Sequence, residues 1–138
     1  MREGGEVVLR WPRSPRSVPL ARRELRCVLE QWGWSQVEDT ACLVLTELLT
    51  NAVRHAGVRG REIETRFLRA GGVLRVEVHD ASEKKPLTAL QADSAEGGRG
   101  LPLIEALSAA WGTSERNGPG KSVWAELPVD GTRRWRDA

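Results

Sequence analysis

Two helical patterns stand back to back near the start of this chain, with no strand-like run between them. That arrangement constrains the fold more than any other feature. Val18, Leu20, Ala21, Leu25, Val28, Leu29 and Trp32 recur at helical spacing. Ser17 is placed to cap this first helix, Pro19 suits its first turn, and Gly33 ends it. Ser35 and Glu38 have the spacing of a capping box, so a second helix is predicted over residues 36–56, stopped by Gly57. A Rossmann or P-loop unit alternates strand and helix, and two consecutive helices break that order.

The remaining runs read as strands. Residues 6–11 are β-like and precede a loop broken by Pro12 and Pro15, so an edge strand is expected there. Residues 62–68 and 73–80 form a hairpin around Ala70-Gly71-Gly72. In the second of these runs Leu74, Val76 and Val78 share one face, and Asp80 continues it. Residues 81–100 read as a long loop and residues 101–110 as a third helix. Two strands, 111–115 and 121–127, joined by Asn117-Gly118-Pro119-Gly120, close the domain. This order predicts an α+β, two-layer sandwich with helices packed on one face of a mixed, largely antiparallel sheet. The expected organisation is an N-terminal strand and loop (1–16), one folded domain (17–128) and a flexible C-terminal tail (129–138).

Composition narrows the function classes. The chain has 138 residues, enough for one core, with 29% charged and 40% apolar residues. Its apolar runs fall far short of the roughly 18 residues that cross a bilayer, so no membrane partner is expected. Glu3-Gly4-Gly5-Glu6 occupies the place of a signal peptide's apolar region, and a cytoplasmic location is expected. Net charge is +2 and the positive charge is scattered, which gives no footprint for direct nucleic-acid binding. Cys27 and Cys42 both lie in helical patterns and read as small, reduced packing residues.

Four segments carry candidate chemistry. Glu47, Asn51 and His55 stand at i, i+4 and i+8, an acid, an amide and an imidazole along one helix face beside the apolar stripe of Val44, Leu48 and Ala52. An Asn inside a helix has low propensity and asks for a compensating role. Asp80 places a carboxylate at the end of a core-facing strand pattern, where burial demands hydrogen-bond partners. Gly97-Gly98-Arg99-Gly100-Leu101 precedes a predicted helix, and glycines before a helix N-terminus let backbone amides approach an anion. Gly118-Pro119-Gly120-Lys121-Ser122 looks like the tail of a phosphate-binding loop, but Val123-Trp124-Ala125-Glu126-Leu127 alternates as a strand, and a P-loop lysine must enter a helix.

Taken together, Glu47-x-x-x-Asn51-Ala52-x-x-His55, Asp80-x-Ser82, Gly98-Arg99-Gly100-Leu101 and Gly120-Lys121-Ser122-Val123-Trp124 resemble, in order and spacing, the GHKL ATP-binding domain of histidine kinases, gyrase and anti-sigma-factor serine kinases. The resemblance covers residues 18–127. Small size makes the chain most similar to the stand-alone anti-sigma-factor kinases of actinomycetes. It implies a Bergerat-type fold that binds ATP and Mg²⁺. Carried over by motif, Glu47 would be the general base and Asn51 would give its side-chain oxygen to Mg²⁺. Asp80 would accept the adenine amino proton, with Ser122 near the adenine. The amides of Gly98, Arg99, Gly100 and Leu101 would cradle the phosphates, and His55 and Ser82 would line the nucleotide site. Arg22 or Arg23 on the first helix resembles the family's partner-contacting position. The implied partners are an anti-anti-sigma protein and a sigma factor, with a homodimer also implied. Two readings stay open at this point: a serine/threonine protein kinase, and a non-catalytic ATP-binding module that regulates transcription through partner binding.

Overall fold

A computed structural model describes residues 2–3, 5–55, 62–80, 108–115 and 121–129. The elements run β1 (Arg2–Glu3), β2 (Glu6–Trp11), α1 (Ser17–Trp32), a 3₁₀ turn (Ser35–Val37), α2 (Glu38–His55), β3 (Ile63–Ala70), β4 (Val73–Asp80), β5 (Ala110–Glu115) and β6 (Lys121–Pro128). The strands form one six-stranded sheet in the order β1-β2-β3-β4-β6-β5. Each described pairing is antiparallel. This is the α+β architecture expected from the order of elements.

Alternation along the strands sorts the sheet into two faces. Val7, Phe67, Val76 and Ala125 stand opposite one another across β2, β3, β4 and β6. With Leu74, Val78, Val123 and Leu127 they join the buried faces of the helices in one core. From α1 come Val18, Ala21, Leu25, Val28 and Leu29; from α2 come Ala41, Val44, Leu45, Leu48, Leu49 and Ala52. The spacing of these residues is the helical periodicity of the sequence made physical. Helix α2 lies on α1 on one side and on β4 and β6 on the other.

The opposite sheet face is charged and internally neutralised. Glu64, 8% exposed in its side chain, meets Arg10 at 3.5 Å and Arg66. Arg75 binds Glu77 at 2.6 Å and Glu126 at 2.8 Å, and its guanidinium lies 4.1 Å from the Trp124 ring centre. That ring also lies close against Gly112, where a Cβ would come within 2.9 Å of it. Glu77 also bonds His79 Nε2 at 2.8 Å. The bonds from His79 and Arg75 hold the Glu77 carboxyl at about 2, below its ordinary 4.5, against the opposing effect of burial.

Several local expectations give way to tertiary contacts. Ser17 is the first helical residue, not the cap: Arg16 holds the cap position without a side-chain bond, and Ser17 Oγ donates to Pro12 O at 2.7 Å. The second helix begins at Glu38 after a 3₁₀ turn, and Glu38 reaches across to Arg26 at 3.0 Å instead of closing a box with Ser35. Strand β2 is not the sheet's outermost strand, because Arg2 and Glu3 pair with Val7 and Glu6. Ala110 starts β5 rather than ending a helix, while residues 101–107 of that predicted helix lie outside the described residues. Cys27 is exposed, whereas Cys42 is buried and its thiol is pushed up by that burial. Val129, the first residue of the expected tail, is buried, and its N–H donates to Gly72 O at 2.8 Å. The hairpin between β3 and β4 turns at Gly71, whose φ of 60° favours glycine. Gly33 likewise ends α1 at φ 76°.

Two outcomes check this description. Phe67 is fully buried between the layers, so Phe67→Ala is expected to cost about 3–5 kcal/mol in denaturant unfolding. Because the folded-state value of Glu77 is depressed, its contribution is complete above 4.5 and is lost as pH falls toward 2. Wild type should therefore lose stability across that window by at most ~3 kcal/mol more than Glu77→Gln does, read by unfolding at each pH.

Candidate functional site

The C-terminal half of α2 carries three of the expected site residues, Glu47, Asn51 and His55, and its packing on β4 and β6 orients the first two. Asn51 is 8% exposed. Its Nδ2 donates to the backbone carbonyl of Glu47 at 2.9 Å, one turn back. Of the two side-chain amide atoms only the nitrogen can donate to a carbonyl, so this bond sets which way the side chain faces. Asn51 Oδ1 is then turned away from the Glu47 carbonyl, is buried, and has no hydrogen-bond partner among the described residues. A buried acceptor without a donor is costly in a folded protein. A hard cation that takes oxygen ligands would relieve that cost.

Glu47 is half-buried. Among the described residues its carboxylate makes no hydrogen bond or ion pair, unlike the other carboxylates shielded from solvent. Glu38 is held by Arg26, Glu64 by Arg10 and Arg66, Glu77 by Arg75 and His79, and Glu126 by Arg75. Glu24 and Asp80 also have interactions. An uncommitted, half-buried carboxylate one turn from an orphaned amide oxygen is suited to accept a proton from a bound group.

Asp80 ends β4 on the helix-facing side of the sheet and is 6% exposed. Its Cα partner in β6 is Lys121. The alternation of Leu74, Val76 and Val78 thus extends to a carboxylate, as the sequence implies. Ser122 is placed differently. It pairs with His79 and Ser114, so its side chain belongs to the outer face, and its Oγ lies 3.5 Å from Ser114 O. The structure does not bring Ser122 Oγ to the sheet face that holds Asp80. The alternation of Val123, Ala125 and Leu127 already contains that parity.

His55 is the last residue of α2. Ser82, Gly98, Arg99, Gly100 and Leu101 lie outside the described residues. Arg22 and Arg23 part company on α1: Arg23 is exposed, while Arg22 turns toward α2 and its Nη1 lies 3.3 Å from Thr46 Oγ1. Thr46 in turn donates to Cys42 O at 2.7 Å. Two contacts near the site escape sequence reading. Trp11 Nε1 donates to the fully buried Thr65 Oγ1 at 2.9 Å, tying β2 to β3 on the helix-facing side. Arg13 Nη1 donates to Val53 O at 3.1 Å, just beyond Asn51.

The residues present fit Mg²⁺ through Asn51 Oδ1, the orphaned buried oxygen. Among the described residues no group of three or more His, Cys, Asp or Glu is arranged around a metal. Mg²⁺ accompanying a nucleotide draws most of its ligands from water and phosphate, so one protein oxygen such as Asn51 Oδ1 would suffice. Also among the described residues, no helix is long and apolar enough to cross a membrane.

The family model described as the histidine kinase-like ATPase domain matches residues 11–127 of the chain. That span takes in α1, α2, β3 to β6 and every candidate site residue. A comparison with curated proteins found no match.

The orphaned oxygen makes a specific outcome expected of Asn51→Leu, which removes the acceptor at similar volume. Its thermal unfolding midpoint should equal or exceed that of wild type, because a buried unpaired group is gone. At the same time, Mg²⁺ should no longer strengthen its ATP binding in calorimetry. A destabilised variant that keeps the Mg²⁺ effect would contradict the assignment.

Proposed function

The chain belongs to the histidine kinase-like ATPase family, and from that we propose that it is an ATP-dependent serine/threonine protein kinase. It phosphorylates an anti-anti-sigma partner and binds a sigma factor. ATP binding and a regulatory role follow from the family itself. The serine/threonine specificity and the partners are our reading. The observation that carries it is Glu47: a half-buried carboxylate with no partner among the described residues, one helical turn from Asn51.

In this mechanism Asn51 Oδ1 would hold the Mg²⁺ that accompanies the nucleotide, and the chemistry such an ion would supply is neutralisation of charge on the phosphate oxygens. Asp80 accepts a hydrogen bond from the adenine amino group. Glu47 takes the proton from the hydroxyl of the partner's serine or threonine as that oxygen bonds to the γ-phosphorus. The bond from the γ-phosphorus to the β,γ-bridging oxygen breaks, and ADP leaves. The backbone amides of Gly98, Arg99, Gly100 and Leu101 cradle the phosphates, and His55 and Ser82 contribute to the nucleotide site. Arg23, exposed on α1, is the cation free to meet a partner's surface. Arg22 supports that surface from beneath through Thr46. Family likeness also supports a homodimer and a cytoplasmic setting.

Phosphoryl transfer from radiolabelled ATP to an anti-anti-sigma protein tests this reading. Wild type should label the partner on serine or threonine. Glu47→Gln should transfer on the order of 10²–10⁴-fold more slowly while binding ATP as wild type does. Equal transfer by Glu47→Gln, or no transfer by a wild-type protein saturated with Mg-ATP, would contradict it.

A further inference from the structure

Helix α2 is described to His55, and Val53 O lies in its last described turn. Arg13 reaches this turn from forty residues away in sequence: its Nη1 donates to Val53 O at 3.1 Å. A guanidinium is also the favourable charge at this end of a helix, where the backbone dipole leaves partial negative charge.

The loop that presents Arg13 is fastened on both sides. Before it, Trp11 is paired in β2 and bonded through its indole to Thr65. After it, Ser17 Oγ donates to Pro12 O at 2.7 Å, Ser17 N to Ser14 O at 2.9 Å and Val18 N to Pro15 O at 3.2 Å. Arg16 N bonds Ser14 Oγ at 3.2 Å. Pro12 and Pro15 each fix one backbone angle of this short segment. Five residues so constrained hold a half-buried arginine against the helix turn that follows Asn51.

We infer that Arg13 is a positioning residue for the nucleotide site: it clamps the last turn of α2 and thereby holds Asn51 Oδ1 where it meets the Mg²⁺ of the bound nucleotide. The inference rests on the proposed role of Asn51. The physical link is short. Helical geometry puts the N–H of residue 55 on the carbonyl of Asn51. Fraying of residues 53–55 therefore removes the turn that braces Asn51 from its C-terminal side. Among the described residues, the Nδ2 bond to Glu47 O is the one other contact that orients its side chain. Partners that orient a metal ligand act in this way, through geometry rather than contact with the metal.

Calorimetric titrations of ATP with and without Mg²⁺ test this on Arg13→Gln, Arg13→Lys, Asn51→Leu and the Arg13→Gln/Asn51→Leu double variant. Arg13→Gln should weaken Mg-ATP binding by roughly 10-fold, with ATP binding in the absence of Mg²⁺ unchanged. Arg13→Lys keeps the charge and one donor and should lie between it and wild type, which also covers the case in which Arg13→Gln folds poorly. In the Asn51→Leu background, Arg13→Gln should have no further effect on Mg-ATP affinity. An equal loss with and without Mg²⁺, or an equal loss in the Asn51→Leu background, would make Arg13 merely structural and overturn the inference. So would unchanged Mg-ATP affinity in Arg13→Gln when Asn51→Leu has lost it. If Asn51→Leu itself keeps the Mg²⁺ effect, the role of Asn51 falls first and this inference falls with it.

Discussion

The packing of α2 against the helix-facing surface of β4 and β6 is the constraint on which the rest depends. One stripe of this helix, Ala41, Val44, Leu45, Leu48, Leu49 and Ala52, is committed to the core. That commitment fixes the rotation of the helix and leaves Glu47 and Asn51 at the margin of the interface, half-buried and buried respectively. The same sheet surface ends in Asp80 on β4. Packing thus sets the burial of three polar groups whose chemistry would otherwise be quenched by water.

Burial has opposite consequences on the two sides of the sheet. On the outer face, each of Glu64, Glu77 and Glu126 is matched by arginine, and the charges spend their fields on one another. On that face the Trp124 ring also meets the Arg75 guanidinium and lies close against Gly112. On the helix side, Glu47 lacks any partner among the described residues and Asn51 Oδ1 lacks a donor. Among the described residues Arg22 Nε and His79 Nδ1 are also buried without a hydrogen-bond partner, so what distinguishes the helix side is the orphaned oxygen of Asn51 one turn from an uncommitted carboxylate, Glu47, a pair that a ligand could complete.

Much of this was legible in the residues. The two helical periodicities, the strand alternation through Asp80 and the Gly71-Gly72 turn depend on local pattern, and local pattern sufficed. The i, i+4 relation of Glu47 and Asn51 needed only the helix. What escaped depends on partners distant in sequence. Ser17 and Ser35 were suited to cap, but Pro12 O took the hydroxyl of Ser17 and Arg26 took Glu38. Cys27 sits on a helical pattern, yet its rotation exposes it. The clamp from Arg13 to Val53 spans a loop whose two prolines signalled rigidity without naming its target. Ser122 is the instructive case: motif likeness pulled it toward the adenine, while the alternation of Val123, Ala125 and Leu127 had already put it on the other face.

The central claim is that this chain completes one nucleotide site with Asn51 as its Mg²⁺ ligand. Calorimetric titration of ATP into the wild-type protein, in the presence of Mg²⁺ and of a chelator, tests it most directly. The account predicts a single binding event per chain that is tighter with Mg²⁺ than without. Heats of dilution alone at millimolar nucleotide, or binding indifferent to Mg²⁺, would contradict it.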